Sequence, residues 1–325
     1  MRIAGSPGLA LACAATLACG GSSSPGGPTG GHPATDPGAW EVRRGLTVPR
    51  TENSVAELDG SIWVVGGFGA AGGAVTQVER YDPAADVWSP AAAIPQGVNH
   101  AGLAAIGGRL VVVGGNVGST FTPTATVRAY DPATDAWSIL APLPAGPRSA
   151  LAVAVLDGRV HAIGGVDGSG PVGTHEVYDP GSDTWAPLAP LPTPREHLAA
   201  ASLNGRIHVV AGRRMGANLG THEIFDPASG TWSAGPPAPT PRSGVAAAAL
   251  GGRVYLFGGE DLRSSATFDE AERFDPATGE WESVAPMPTS RHGLGAAVLG
   301  GSIWVVGGGQ LAGLSTSAAN ERFTP

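Results

Sequence analysis

Beyond Cys19 the chain has no cysteine; Cys13 and Cys19 are its only two. Everything downstream therefore forms no disulfide and no thiolate metal site, and must draw its stability from packing. Charge is scarce as well, at 14% Asp, Glu, Lys and Arg over 325 residues. What charge there is leans acidic, formally −8, and more so once Arg2 leaves with the leader, so nucleic acid is not an expected partner. Long apolar runs are missing: the stretch from Leu9 to Ala18 is too short to span a membrane. No HExxH spacing, nucleophile motif, phosphate-cradling glycine loop or calcium loop is present, and no amphipathic helix suggests itself. Asp269, Glu270 and Glu272 read as a solvated acidic stretch.

Among what is present, the first residues come first. One positive charge, a short apolar run and a cysteine make residues 1–19 a secretion signal. Leu17-Ala18-Cys19-Gly20 resembles a bacterial lipoprotein cleavage site, with Thr16 where that pattern prefers Leu. The resemblance implies lipidation of Cys19 and an exported, lipid-anchored protein of the cell envelope, at the outer membrane or cell surface, touching membrane only through that anchor. Residues 20–38, mostly Gly, Ser, Pro and Thr, have the composition of a flexible tether.

From residue 39 onward one unit repeats. Its landmarks are Gly66-Gly67, Gly114-Gly115, Gly164-Gly165, Ala211-Gly212, Gly258-Gly259 and Gly307-Gly308, with successive first members 48, 50, 47, 47 and 49 residues apart. Trp40, Trp88, Trp137, Trp185, Trp232 and Trp281 keep the same beat. Tyr81, Tyr130, Tyr178, Phe225 and Phe274 each lie seven residues before a Trp. Each unit holds four strands. An Ala- and Gly-rich strand, small where wedges converge, leads through a pair such as Asp59-Gly60 or Asn204-Gly205, the signature of a type I′ hairpin. A β-branched strand then ends at the glycine pair, and Asp-Pro turns such as Asp275 to Gly279 join the third strand to the fourth. A period of roughly 40 to 50 residues with four strands is that of propeller blades.

The sixth aromatic, Phe323, has no Trp after it, and Trp40 has no aromatic strand before it. The two halves complete each other: Trp40 to Val48 is expected to supply the outer strand of the last blade and seal the ring. The expected fold is therefore all-β, a six-bladed propeller over residues 39–325 with four antiparallel strands per blade, and a monomer.

Glycine pair, spaced Tyr or Phe, then Trp, preceded by Pro-Arg, resembles the Kelch repeat over residues 40–325. The departures are Ala211, Val98 and Arg128 in the places of Gly, Arg and Glu, and Thr324 in place of Asp. Arg50, Arg148, Arg195, Arg242 and Arg291 are each followed 28 to 30 residues later by Glu79, Glu176, Glu223, Glu272 and Glu321. The unit that lacks the arginine also lacks the glutamate, so these read as structural ion pairs inside blades rather than an anion site.

In a four-stranded meander the second-to-third loops and the inter-blade connections share one face, and here those loops vary in length and content. The Kelch resemblance implies that residues after the arginines and after the glycine pairs line the central channel there. In this chain they are Thr51, Glu52, Asn99, His100, Ser149, Glu196, His197, Ser243 and His292, with Phe68, Asn116, Val166, Arg213 and Glu260. Together they read as a polar binding mouth for a peptide, protein loop or glycan. No catalytic residue is assigned, and no cofactor or metal is expected; His161, His175, His208 and His222 show no ligand spacing. The alternative is an enzyme, since six-bladed Kelch propellers include sialic-acid epimerases, and Glu52, Glu196, His197, His292 and Arg213 would then supply acid, base and carboxylate clamp. The copper branch resembling galactose oxidase needs a cysteine–tyrosine cofactor, which this domain excludes.

Overall fold

The structure, a computed structural model, describes residues 32–325. The secretion signal, Cys19 and the first part of the expected tether lie outside the described residues.

Six four-stranded antiparallel sheets follow one another along the chain. The first comprises Ser54–Leu58, Ser61–Val65, Val78–Asp82 and Val87–Pro90, and the next four repeat that order. In the sixth, Gly295–Leu299, Ser302–Val306 and Asn320–Thr324 are completed by Ala39–Val42 from the other end of the chain. Trp40 pairs with Phe323, the register that joins Trp88 to Tyr81 in the first blade. The first strand of each blade packs beside that of the next, and the sixth beside the first. The hydrophobic core is accordingly divided among the joints between blades. Leu46, Ile62, Val64, Tyr81 and Trp88 of blade one meet Ala297, Trp304 and Val306 of blade six in one such cluster, which closes the ring.

The local chemistry explains the elements. Both residues of each first hairpin turn have positive φ, for example Asp59 at 50° and Gly60 at 72°, as a type I′ turn demands. The wedge needs small residues inside: a Cβ on Gly102 would stand 2.0 Å from Val153 Cγ2 of the neighbouring blade. At the periphery the indole N–H of each fourth-strand Trp reaches back to a carbonyl of the preceding blade, Trp137 to Ala92 at 2.9 Å and Trp40 to Ala285 at 2.8 Å. Residues 32–37, the end of the segment read as a tether, lie along blade five: His32–Pro33 pairs in parallel with Glu282 and Ser283, and Ala285 N–H donates to Pro37 O at 2.8 Å.

Candidate functional site at the channel mouth

The positions after the arginines and after the glycine pairs, variable in sequence, are brought together one pair per blade. Thr51 faces Phe68 and Asn99 faces Asn116. Ser149 bridges Val166, Glu196 bridges Arg213, Ser243 bridges Glu260 and His292 bridges Gly309. Of the fourteen residues expected at the mouth, Thr51, Phe68, Asn99, Asn116, Ser149, Ser243, Glu260 and His292 are buried, and Glu52, His100, Val166, Glu196, His197 and Arg213 are half-buried. They form the floor of the mouth rather than its open rim.

Beneath them sit the arginine–glutamate pairs. Arg50 Nη2 lies 2.8 Å from Glu79 Oε2 and Arg242 Nη1 2.6 Å from Glu272 Oε2; Arg148, Arg195 and Arg291 are likewise paired with Glu176, Glu223 and Glu321. Four of the guanidinium groups also donate to the carbonyl of the first residue of the glycine pair, as Arg242 Nε does to Gly258 O at 2.7 Å and Arg291 Nη1 to Gly307 O at 2.7 Å. Each arginine thus ties second strand to third and holds up the backbone of the mouth. In blade two Val98 is buried where the arginine would be, and Arg128 turns to Gln96 at 3.3 Å.

One residue further along, a second ring appears, of which the sequence reading singled out Glu52, His100 and His197 but not Ala150, Gly244 and Gly293. Glu52 N–H donates to Gly293 O at 2.7 Å, Gly293 to Gly244 at 2.8 Å, Gly244 to His197 at 3.0 Å, His197 to Ala150 at 2.9 Å, Ala150 to His100 at 2.8 Å and His100 to Glu52 at 3.0 Å. Six backbone hydrogen bonds close a circle about the axis, one member per blade. All six residues are left-handed, with φ between 50° and 66°. Each stands second after the repeated arginine or after Val98, a spacing visible in the sequence.

The side chains of this ring converge. Glu52 Oε2 is 3.5 Å from His100 Nε2, and Glu52 Oε1 is 3.9 Å from both His197 Nε2 and His292 Nε2. His197 Nδ1 bonds Glu196. Arg213 joins Glu196 to Glu260 at 2.8 Å each. Burial works to raise the Glu52 and Glu196 carboxyls, yet the imidazoles and Arg213 outweigh it and hold each at about 2. Burial pulls His100 down to about 4 against the attraction of Glu52. A cavity of about 100 Å³ lies at the ring. Beyond it a channel of about 130 Å³ is lined by the first strands of all six blades. A larger cavity of about 450 Å³ opens at the opposite face between blades one and two, among Trp63, Arg80 and Tyr130; Asp59 and Asp135 also line it, and no histidine does.

The Kelch motif matches residues 49–93, 98–144, 147–192, 194–239 and 241–288. The chain belongs to the Kelch-repeat family. The five matched Kelch motifs correspond to blades one to five, the sixth blade being split between the two ends of the described chain. Human Kelch-like protein 35 is 36% identical over 76 residues, 23% of this chain and 13% of that protein, and the mouse protein is 36% identical over 66 residues, 20% and 11%. The solved structure of YjhT superposes with a TM-score of 0.73 at 18% identity, covering 86% of this chain and 96% of that one. At that identity the likeness is one of fold, and it is a likeness of nearly whole chains.

Proposed function

We propose that this Kelch propeller is an exported binding module that holds a peptide or protein loop on the channel-mouth face. The observation that carries the reading is the apolar crest of its loops. Phe121, Met215, Leu262, Leu311 and Leu314 are exposed large apolar residues, and all of them stand on the second-to-third loops around the polar floor. Exposed apolar groups gathered on one face of a rigid scaffold mark interaction surfaces. The loops are braced for this: Ala74 N–H donates to Gly118 O at 3.1 Å, Thr267 Oγ1 to Gln310 O at 2.9 Å and Gly313 N–H to Glu260 Oε2 at 2.8 Å. An enclosed sugar is disfavoured, because about 100 Å³ at the ring is well below the roughly 300 Å³ at which ligand pockets begin. The leader before Cys19 supports delivery to the envelope, and the acidic balance argues against nucleic acid.

Selection of a displayed peptide library on the wild-type protein tests this. Enriched peptides are expected to bind the Met215→Asp, Leu262→Asp, Leu311→Asp triple variant at least about tenfold more weakly, and an Ile139→Asp variant, altered on an outer strand, unchanged. Equal binding by the triple variant, or enrichment only on glycan arrays, would overturn it.

A further inference from the structure

We propose that Glu52, His100 and His197 form a binding site for one divalent transition-metal cation at the channel mouth. This goes beyond the peptide-binding reading and does not depend on it. One donor atom from each residue lies within 4.8 Å of the others, and the two oxygens of the Glu52 carboxylate face the two imidazoles, Oε2 at 3.5 Å from His100 Nε2 and Oε1 at 3.9 Å from His197 Nε2. A tetrahedral ion with bonds of about 2.0–2.1 Å sets its ligands about 3.4 Å apart, so small side-chain rotations suffice. The three residues come from blades one, two and four, and the backbone hydrogen bonds His100 to Glu52 and His197 to Ala150 to His100 hold their main chains in one circle.

The partners of the ring nitrogens point the same way. His100 Nδ1 faces Asn99 Oδ1 at 2.6 Å, and His197 Nδ1 faces the Glu196 carboxylate. Both partners are acceptors, so Nδ1 carries the proton in each and Nε2 turns its lone pair toward the axis. Outer carbonyl and carboxylate partners of this kind are what orient metal-binding histidines. Arg213 Nη2 stands 3.2 Å from His197 Nε2 and donates into that lone pair. A cation takes the place of this one hydrogen bond, and Arg213 keeps Glu196 and Glu260.

Charge argues for a cation as well. Glu52, Glu196 and Glu260 gather around one guanidinium, Arg213. The backbone adds a further sign. Two positions of the ring are Gly244 and Gly293, the residue that adopts positive φ at no steric cost. Glu52, His100 and His197 occupy the same strained conformation with long functional side chains, and such outliers gather at ligand clamps. Two imidazoles and one carboxylate suit zinc or ferrous iron rather than magnesium or calcium, and leave at least one coordination position open to water or ligand.

The test uses the full-length protein stripped with chelator and titrated calorimetrically with Zn²⁺ alone. One equivalent is expected to bind at micromolar affinity or tighter, with millimolar Ca²⁺ or Mg²⁺ unable to compete, and Co²⁺ in its place should give the intense visible absorption of a tetrahedral site. His100→Gln and His197→Gln are each expected to weaken Zn²⁺ at least about 100-fold, and Asn99→Ala, through orientation alone, about tenfold. His32→Gln, on the exposed terminal segment, leaves affinity unchanged. Glu52→Gln serves where a histidine variant does not melt cooperatively. No stoichiometric uptake, or uptake equal to wild type in folded H100Q, H197Q or E52Q protein, would overturn the proposal.

Discussion

Two pairs of buried histidines satisfy one another, with a consequence for acid stability. His161 Nδ1 lies 2.9 Å from His175 Nε2, and His208 Nδ1 2.9 Å from His222 Nε2. His175 and His222 in turn donate to Ala189 O and Pro236 O at 3.2 Å each. Burial lowers His161, His208 and His222 to about 4 and His175 to about 3, with Arg159 beside His161, Arg206 beside His208, and Arg148 and Arg195 beside the third-strand members acting in the same direction. The unfolded chain, with histidines near 6.5, binds more protons than the native one between that value and about 4. Stability from these groups is therefore complete above pH 6.5 and is lost as pH falls, by about 1.4 kcal/mol for each unit that a folded value lies below the unfolded one. Blade two carries Val111 and Val127 at the matching places. Urea midpoints between pH 7 and 5, a window in which ordinary carboxylates stay ionised, should fall for wild type and fall roughly half as steeply for His161→Val/His175→Val. An equal slope in that variant would show that other groups set the acid limit.

At the scale of strands and turns, much was legible because each blade had to solve the same local problems. The paired turn residues, the tryptophan beat and the Asp-Pro turns each have one backbone reason, and six copies make the reasons visible. A coupling between them was present in the sequence and went unread. Tyr81, Tyr130 and Tyr178 donate to Asp86, Asp135 and Asp183 at 2.5, 2.6 and 2.8 Å. In blades four and five the aspartate's place is taken by Gly230 and Gly279, and there the aromatic is Phe225 or Phe274, with no hydroxyl to satisfy. The mouth was harder to read. Which residues vary was plain, and the spacing marks the members of the backbone circle, but that Glu52, His100 and His197 meet across an axis depends on blade angle and on the closure of that circle between distant segments. Neighbouring inner strands also fit by size: Gly102 lies under Val153, and Gly295 under Val55, where an added Cβ would fall 2.3 Å from Val55 Cγ2. Gly102→Ala is expected to cost about 1–3 kcal/mol by overpacking. Adding Val153→Ala should recover part of that loss, which a double-mutant cycle in denaturant measures as coupling of opposite sign to simple additivity.

A propeller has no stabilising element larger than its closure, because every joint between blades buries a similar core and the ring is sound only if all six are made. The joint completed by the N-terminal strand is the one that carries no covalent continuity within its sheet. Ala39–Val42 pairs along Asn320–Thr324, Trp40 packs against Phe323 and Phe257 at ring separations of 5.0 and 5.6 Å, and its indole N–H is the hydrogen bond to blade five. Removing it uncovers the backbone of Asn320–Thr324 as a free edge, the feature that invites pairing with other chains, and takes with it the docked residues 32–37 on blade five. A chain beginning at Arg44 is therefore expected to melt about 10 °C lower than the full chain and to associate with rising concentration. A synthetic peptide spanning residues 32–43 added in trans should restore the melting temperature in a saturable way, and the same peptide with Trp40→Ala should restore it far less, since it keeps the backbone contacts of residues 32–37 with blade five but loses the indole's packing on Phe323 and Phe257 and its hydrogen bond to Ala285 O. Equal melting of the shortened and full chains would mean that five joints hold the toroid and the sixth is dispensable.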